Sequence, residues 1–156
     1  MIAFFTHPVV LLTLGGALGT NARYWLGVFV ASRVALHQWD LGHFPLATFL
    51  INVSGALLLG LLVIPFRDRL PIWYILLGVG FCGGYTTFSA FALETVELVR
   101  RRHQPGMAIA YVVASVMVGC AVTWIAMASM ERYYPHAPAA ATPAMEAADP
   151  EKKTAP

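Results

Sequence analysis

Gly78-Val79-Gly80-Phe81-Cys82-Gly83-Gly84-Tyr85-Thr86-Thr87-Phe88-Ser89-Ala90-Phe91 is the stretch that decides how this chain is read. It lies inside Ile72–Leu93, a run of 22 residues without a charge. A helix needs roughly 20 predominantly apolar residues to cross a bilayer, so the length predicts a spanning helix. The middle of the run is a poor helix. Four glycines, two threonines and a serine crowd into it. Each glycine lowers helix propensity by about 1 kcal/mol relative to alanine, and the Gly83-Gly84 pair is followed by two β-branched threonines. Two readings fit. In one, the helix breaks there, and the freed backbone groups find partners in protein, water or an ion, an arrangement that often builds a mid-membrane binding site. In the other, the small residues let a second helix pack close.

Working outward, the same pattern recurs. Pro45–Phe66 gives 22 uncharged residues and Met107–Met130 gives 24, while Val9–Ser32 carries one charge, Arg23. Short connectors, Arg33–Phe44, Arg67–Pro71 and Arg100–Gly106, join these runs. The whole chain of 156 residues is 58% hydrophobic and 12% charged, against about 25% charged for a soluble domain. A chain this short cannot hide so much apolar surface from water. The expectation is an all-α membrane protein with four transmembrane helices, the third broken near its centre. Residues 1–132 form the transmembrane domain. Residues 133–156 form a Pro/Ala-rich tail that cannot offset its ordering entropy and is expected to be disordered. No Lys or Arg precedes the first run, so it is not read as a signal peptide. Cys82 and Cys120 both fall inside spans and are read as small apolar core residues, not as a disulfide or zinc framework. The histidines lie at ends and loops without metal-ligand spacing, and there is no phosphate loop, nucleophile–base set or nucleic-acid motif. A soluble enzyme is excluded.

The arginines near the membrane are almost evenly shared. Arg67, Arg69 and Arg132 fall on one side, Arg33, Arg100, Arg101 and Arg102 on the other. Cytoplasmic loops normally hold a clear Lys/Arg excess. Three against four leaves either an orientation fixed by other means or insertion of copies in both directions.

Few polar residues lie within the spans. Arg23 sits mid-span in Gly15-Gly16-Ala17-Leu18-Gly19-Thr20-Asn21-Ala22-Arg23-Tyr24. Either it snorkels to the interface, or it faces inward to draw anions or brace a carboxylate. Thr48 and Asn52 share a helix face at i, i+4, with Ser54 beside them, and Tyr111 and Ser115 repeat the spacing. These stripes either hydrogen-bond neighbouring helices or line a pathway with donors. Phe88 and Phe91 share a face as well. They are core or lipid contacts, or they offer the positive edges of their rings to a small anion beside Ser89, Thr86 and Thr87. Glu94 is offered an arginine partner, and Glu97 a solvated interfacial place.

Read together, these segments resemble the CrcB/Fluc family of fluoride channels. Gly80-Phe81-Cys82-Gly83-Gly84-Tyr85-Thr86-Thr87-Phe88-Ser89-Ala90-Phe91 with Glu94 is similar to that family's third-helix signature. Gly15-Gly16 through Arg23-Tyr24, and Thr48-Phe49-Leu50-Ile51-Asn52 with Gly55, support it. The resemblance implies an antiparallel, dual-topology homodimer with two fluoride pores, in a bacterial inner membrane. It implies a central Na⁺ held by backbone carbonyls of Gly83 and Thr86 from both subunits. It places Phe88 and Phe91 along the pores with ring edges toward fluoride, Asn52 and Ser89 as pore donors with Thr48 on the same helix face as Asn52, and Tyr111 and Ser115 as fourth-helix pore positions. Arg23 falls near a vestibule, and Glu94 is a vestibule or structural charge. Tyr85, Ala90 and Ala47 depart from the usual aliphatic, Thr and Gly residues. The implied activity is passive fluoride export that relieves toxicity. The rival is a small dual-topology multidrug exporter, which needs a membrane-embedded carboxylate at mid-span. Here the first span offers Arg23 instead.

Overall fold

A computed structural model describes residues 7–37 and 43–134. The expected tail, apart from its first two residues, lies outside them. Among the described residues every regular element is helical: α1 (Pro8–His37), α2 (Leu46–Phe66), α3 (Pro71–Trp73), a π-helix (Tyr74–Cys82), α4 (Gly83–Tyr85), α5 (Phe88–Arg100) and α6 (Pro105–Tyr133). Proline opens α1, α3 and α6, where its missing N–H has no helical acceptor to lose. Arg100 falls in the last turn of α5, where a cation suits the negative helix end.

Three stretches are long and apolar enough to cross a membrane: Leu46–Phe66, Pro71–Arg100 and Pro105–Tyr133. The remaining long helix, α1, has 30 residues. At 1.5 Å per residue it spans about 45 Å, but Thr20, Asn21 and Arg23 dilute its apolar character.

The third stretch departs from a plain helix twice. From Tyr74 to Cys82 it is π-helical over nine residues, where such turns usually come singly. Then Thr86 (φ −79°, ψ 159°) and Thr87 (φ −149°, ψ 117°) are extended. Of the Gly83–Thr87 stretch where a break is expected, the glycine pair is itself helical, with Gly83 at φ −65°, ψ −37°. The extended backbone falls on the two threonines after it.

The glycines here serve close packing. A Cβ on Gly84 would stand 2.5 Å from the Gly16 carbonyl oxygen and 2.9 Å from Gly16 Cα. One on Gly80 would stand 3.1 Å from Gly15 Cα. Gly15 and Gly19 in turn press α1 against the backbone of Gly80, Phe81 and Tyr85. Small residues four apart let helix backbones approach without side chains between them. On the other side of the bundle, Gly60 of α2 lies against Thr123 and Ala126 of α6, and Thr123 Oγ1 donates to the Ala56 carbonyl at 3.2 Å. Leu98, Ala108 and Tyr111 form a small core, packed by Phe44, Phe49, Phe91 and Met107.

Cys82 is buried as expected, but Cys120 lies on an exposed face of α6. Hydropathy cannot separate the two, because a face turned to lipid is as apolar as one turned inward. The same holds for Leu14, Leu18 and Trp25 on α1 and for Ile109, Met117 and Trp124 on α6, all exposed.

Candidate functional site

The two extended threonines rearrange the backbone bonds around them. In an uninterrupted helix the N–H of residue 87 would reach the carbonyl of residue 83, and the N–H of 90 that of 86. Here Thr87 N–H donates to Asn52 Oδ1 at 2.8 Å. Ala90 N–H donates to Thr87 Oγ1 at 3.2 Å, which makes Thr87 the N-cap of α5. The carbonyls of Gly83 and Thr86 thereby lose their helical donors. Asn52 also donates from Nδ2 to the Thr87 carbonyl at 3.1 Å. One α2 side chain thus supplies the acceptor that the Thr87 N–H lacks and adds a second donor to a carbonyl that already receives the first bond of α5. Thr86 closes the preceding helix, giving its N–H (3.0 Å) and its hydroxyl (2.9 Å) to the Cys82 carbonyl.

The freed carbonyls are hard oxygen donors of the kind that replace the hydration shell of an alkali cation. Gly83 is exposed, and a Cβ built on it would meet nothing within 4 Å, so an ion could approach that backbone. Two carbonyls do not make a shell, so the fit holds only with oxygens from outside this chain. Arg23 is half-buried and donates from Nη1 to the Thr86 carbonyl at 3.4 Å. It reaches a backbone oxygen there, not a carboxylate.

A cavity of about 620 Å³ opens beside this segment. Asn52, Gly83, Thr86, Phe88, Phe91 and Ser115 stand in its wall among apolar side chains. Ser115 Oγ is buried and has no hydrogen-bond partner. Phe88 is 79% exposed, its ring centre 5.7 Å from that of Phe91. Phe91 packs its other side on Tyr111 at 5.1 Å. Ser89 is exposed, with its hydroxyl 3.1 Å from that of Thr87.

Thr48 and Tyr111 gather elsewhere. Thr48 donates to Glu94 Oε1 at 2.7 Å and Tyr111 to Glu94 Oε2 at 2.8 Å. The expected arginine partner of Glu94 is therefore corrected: two hydroxyls hold it. The cause is the helical stagger, because Thr48 lies one turn from Asn52 and Tyr111 one turn from Ser115, so the two polar stripes converge on Glu94 at one end. A second cavity of about 480 Å³ has Glu94 and His43 in its wall. Glu97, expected to be solvated, pairs with Arg101 at 3.3 Å. Sequence reasoning missed the double bond set of Asn52 on one residue. It also missed the Thr87 cap, although threonine before an apolar helical run is a recognisable start signal.

A family model described as CrcB-like protein, Camphor Resistance (CrcB), matches residues 10–127. A Rhodococcus jostii protein named fluoride-specific ion channel FluC 2 is 48% identical over 118 residues, 75% of this chain and 93% of its own length. Proteins named fluoride-specific ion channel FluC from Solibacter usitatus (42% over 120 residues, 74% and 91%) and Methylobacillus flagellatus (41% over 122 residues, 76% and 91%) are similar over the same extent. The span from 10 to 127 contains Asn52, the Thr86–Thr87 junction, Phe88, Phe91 and Glu94. This chain, a multi-pass membrane protein, belongs to the CrcB family.

Proposed function

We propose that this chain is a fluoride-selective ion channel that lets fluoride leave the cell passively, down its electrochemical gradient, and so relieves fluoride toxicity. The observation that carries the reading is family membership with relatives named as fluoride-specific ion channels. The chain is a channel and not an enzyme. A small multidrug exporter has no support from the family.

Fluoride is small and strongly hydrated. A pore for it must replace that water with donors, yet hold the ion weakly enough to release it. An asparagine amide has two N–H donors, and Asn52 spends one on the Thr87 carbonyl. The other, the unpartnered Ser115 hydroxyl, Ser89 and the ring edges of Phe88 and Phe91 make a track of weak donors. Thr48 and Tyr111 join it only by trading Glu94 for the ion.

On this reading α1 is a fourth crossing, and the third crossing is interrupted at Thr86–Thr87. Two copies insert antiparallel in a bacterial inner membrane and bury part of the exposed apolar surface. The Gly83 and Thr86 carbonyls of both copies would hold a structural Na⁺, which would supply positive charge to backbone oxygens without helical donors. Arg23 supplies positive charge near the vestibule. The near-balance of arginines, three against four, is consistent with dual insertion.

The test is ion efflux from liposomes holding purified protein. Fluoride should leave far faster than chloride. No fluoride flux, or equal rates for both anions, would overturn the reading.

A further inference from the structure

Nothing in the permeation track uses Tyr85. It is 8% exposed, and its ring lies parallel to Phe81 with centres 5.7 Å apart. Its hydroxyl is 2.8 Å from Ser54 Oγ. Ser54 has one proton, and it lies 2.7 Å from the carbonyl of Leu50 in its own helix. Ser54 Oγ therefore accepts, and Tyr85 donates.

The position of this bond gives it meaning. Gly55 of α2 is bare against Tyr85 and Thr86, with the Tyr85 ring 3.0 Å from where a Cβ would stand. Asn52 and Ser54 fall on opposite flanks of Gly55 around the helix. Asn52 grips Thr87, and Ser54 grips Tyr85. Thr86, the residue between, is thus anchored to α2 from both sides. These anchors add to the bonds Thr86 makes itself, its N–H and hydroxyl to the Cys82 carbonyl and its own carbonyl to Arg23.

We infer that Tyr85 is a positioning residue: through Ser54 it forms, with the Asn52–Thr87 bonds, a two-point clamp that holds the extended Thr86–Thr87 segment for anion selection. This rests on the channel reading. A net neutral hydrogen bond is worth about a factor of three to ten in an equilibrium. Loss of the Tyr85 hydroxyl should raise the population of loosened segment by that factor.

The experiment uses the full chain in lipid nanodiscs and in liposomes, with Tyr85→Phe, Ser54→Ala and the double variant. Amide hydrogen exchange at Thr87 reports segment opening independently of transport. Tyr85→Phe keeps the ring and its stacking, and should speed that exchange about three- to tenfold. Chloride leak relative to fluoride should rise by a similar factor. Ser54→Ala should speed exchange at least as much, because it strands the buried Tyr85 hydroxyl, and the double variant should return to the level of Tyr85→Phe, since the two changes remove one shared bond. Ser54→Thr, which keeps the acceptor, should restore both readouts. Unchanged Thr87 exchange in Tyr85→Phe overturns the clamp, whether or not the unaltered protein passes fluoride. Faster exchange without a change in the anion ratio overturns its part in selection. Absence of fluoride flux in the unaltered protein sinks the channel reading instead.

Discussion

Residues 71–100 and α6 (Pro105–Tyr133) have 30 and 29 residues, both start with proline, and both are apolar enough to span a membrane. Yet α6 is helical throughout, and the other stretch opens into extended backbone at Thr86–Thr87. Glycine alone is not the cause, because α6 carries Gly106 and Gly119 and stays helical. What differs is what faces those glycines. A Cβ on Gly106 or Gly119 would meet nothing within 4 Å, whereas Gly80 and Gly84 abut the backbone of α1. The polar side chains differ too. Within α6, Ser129 donates to its own helix, four residues back, and Thr123 shares its one proton between the Gly119 carbonyl of its own helix and the Ala56 carbonyl of α2; neither takes a backbone group out of the α6 ladder. At Thr87 the donor and acceptor arrive from another helix, on Asn52. In an apolar solvent a ladder opens only where a neighbour supplies substitutes.

The largest blow to this contrast is Asn52→Ala. It leaves the Thr87 N–H without its acceptor, at about 1–3 kcal/mol for a buried group left unmade, and takes one of two donors from the Thr87 carbonyl. The thermal midpoint in detergent should fall sharply, and fluoride efflux should drop more than tenfold. A stable, conducting variant would show that Asn52 is not what replaces the ladder. Next comes a matched glycine pair. Gly84→Ala forces a methyl against the Gly16 carbonyl and should cost about 2 kcal/mol, typical of overpacking. Gly119→Ala meets open space and should be neutral, or stabilise by up to about 1 kcal/mol from helix propensity. Equal melting shifts for the two would break the comparison.

Glu94→Gln follows. It replaces two hydrogen bonds to a carboxylate with one to an amide oxygen, and turns an NH₂ toward a hydroxyl donor. A loss of about 1.5 kcal/mol is expected, because bonds to charged groups exceed neutral ones by roughly that much. Denaturation of Glu94→Gln in Thr48→Ala and Tyr111→Phe backgrounds would show whether those hydroxyls are its partners, since the losses should then not add. The smallest effect on stability belongs to Ser115→Ala. Its hydroxyl is buried and unpartnered, so stability should move by less than about 0.5 kcal/mol or rise slightly. Fluoride efflux should slow nonetheless, and the pair of readouts separates a pathway donor from a packing residue.

Much of this was legible in the residues. Long uncharged runs located α2 and α6 to within three residues at each end. They located the start of the third stretch to within one, though that stretch runs on seven residues past Leu93 to Arg100. The need for about 20 apolar residues is a one-dimensional property. The i, i+4 pairs Thr48/Asn52 and Tyr111/Ser115 were legible for the same reason, since helix periodicity fixes which residues share a face. The weak middle of the third stretch also showed. Within that stretch only the structure told the residues apart: the glycines are helical and the two threonines take the extended backbone. Propensity ranks residues but cannot say which backbone groups find substitute partners.

The sequence by itself therefore determined a helical membrane chain, its apolar segments, and which polar residues stand on common faces. Tertiary structure alone decided where those residues point. It put Asn52 on Thr87, set Thr48 and Tyr111 on Glu94 in place of an arginine, and joined Tyr85 to Ser54. The reason is distance along the chain. These bonds join residues 17 to 46 positions apart, and no local pattern encodes the crossing of helices that brings them within hydrogen-bond reach.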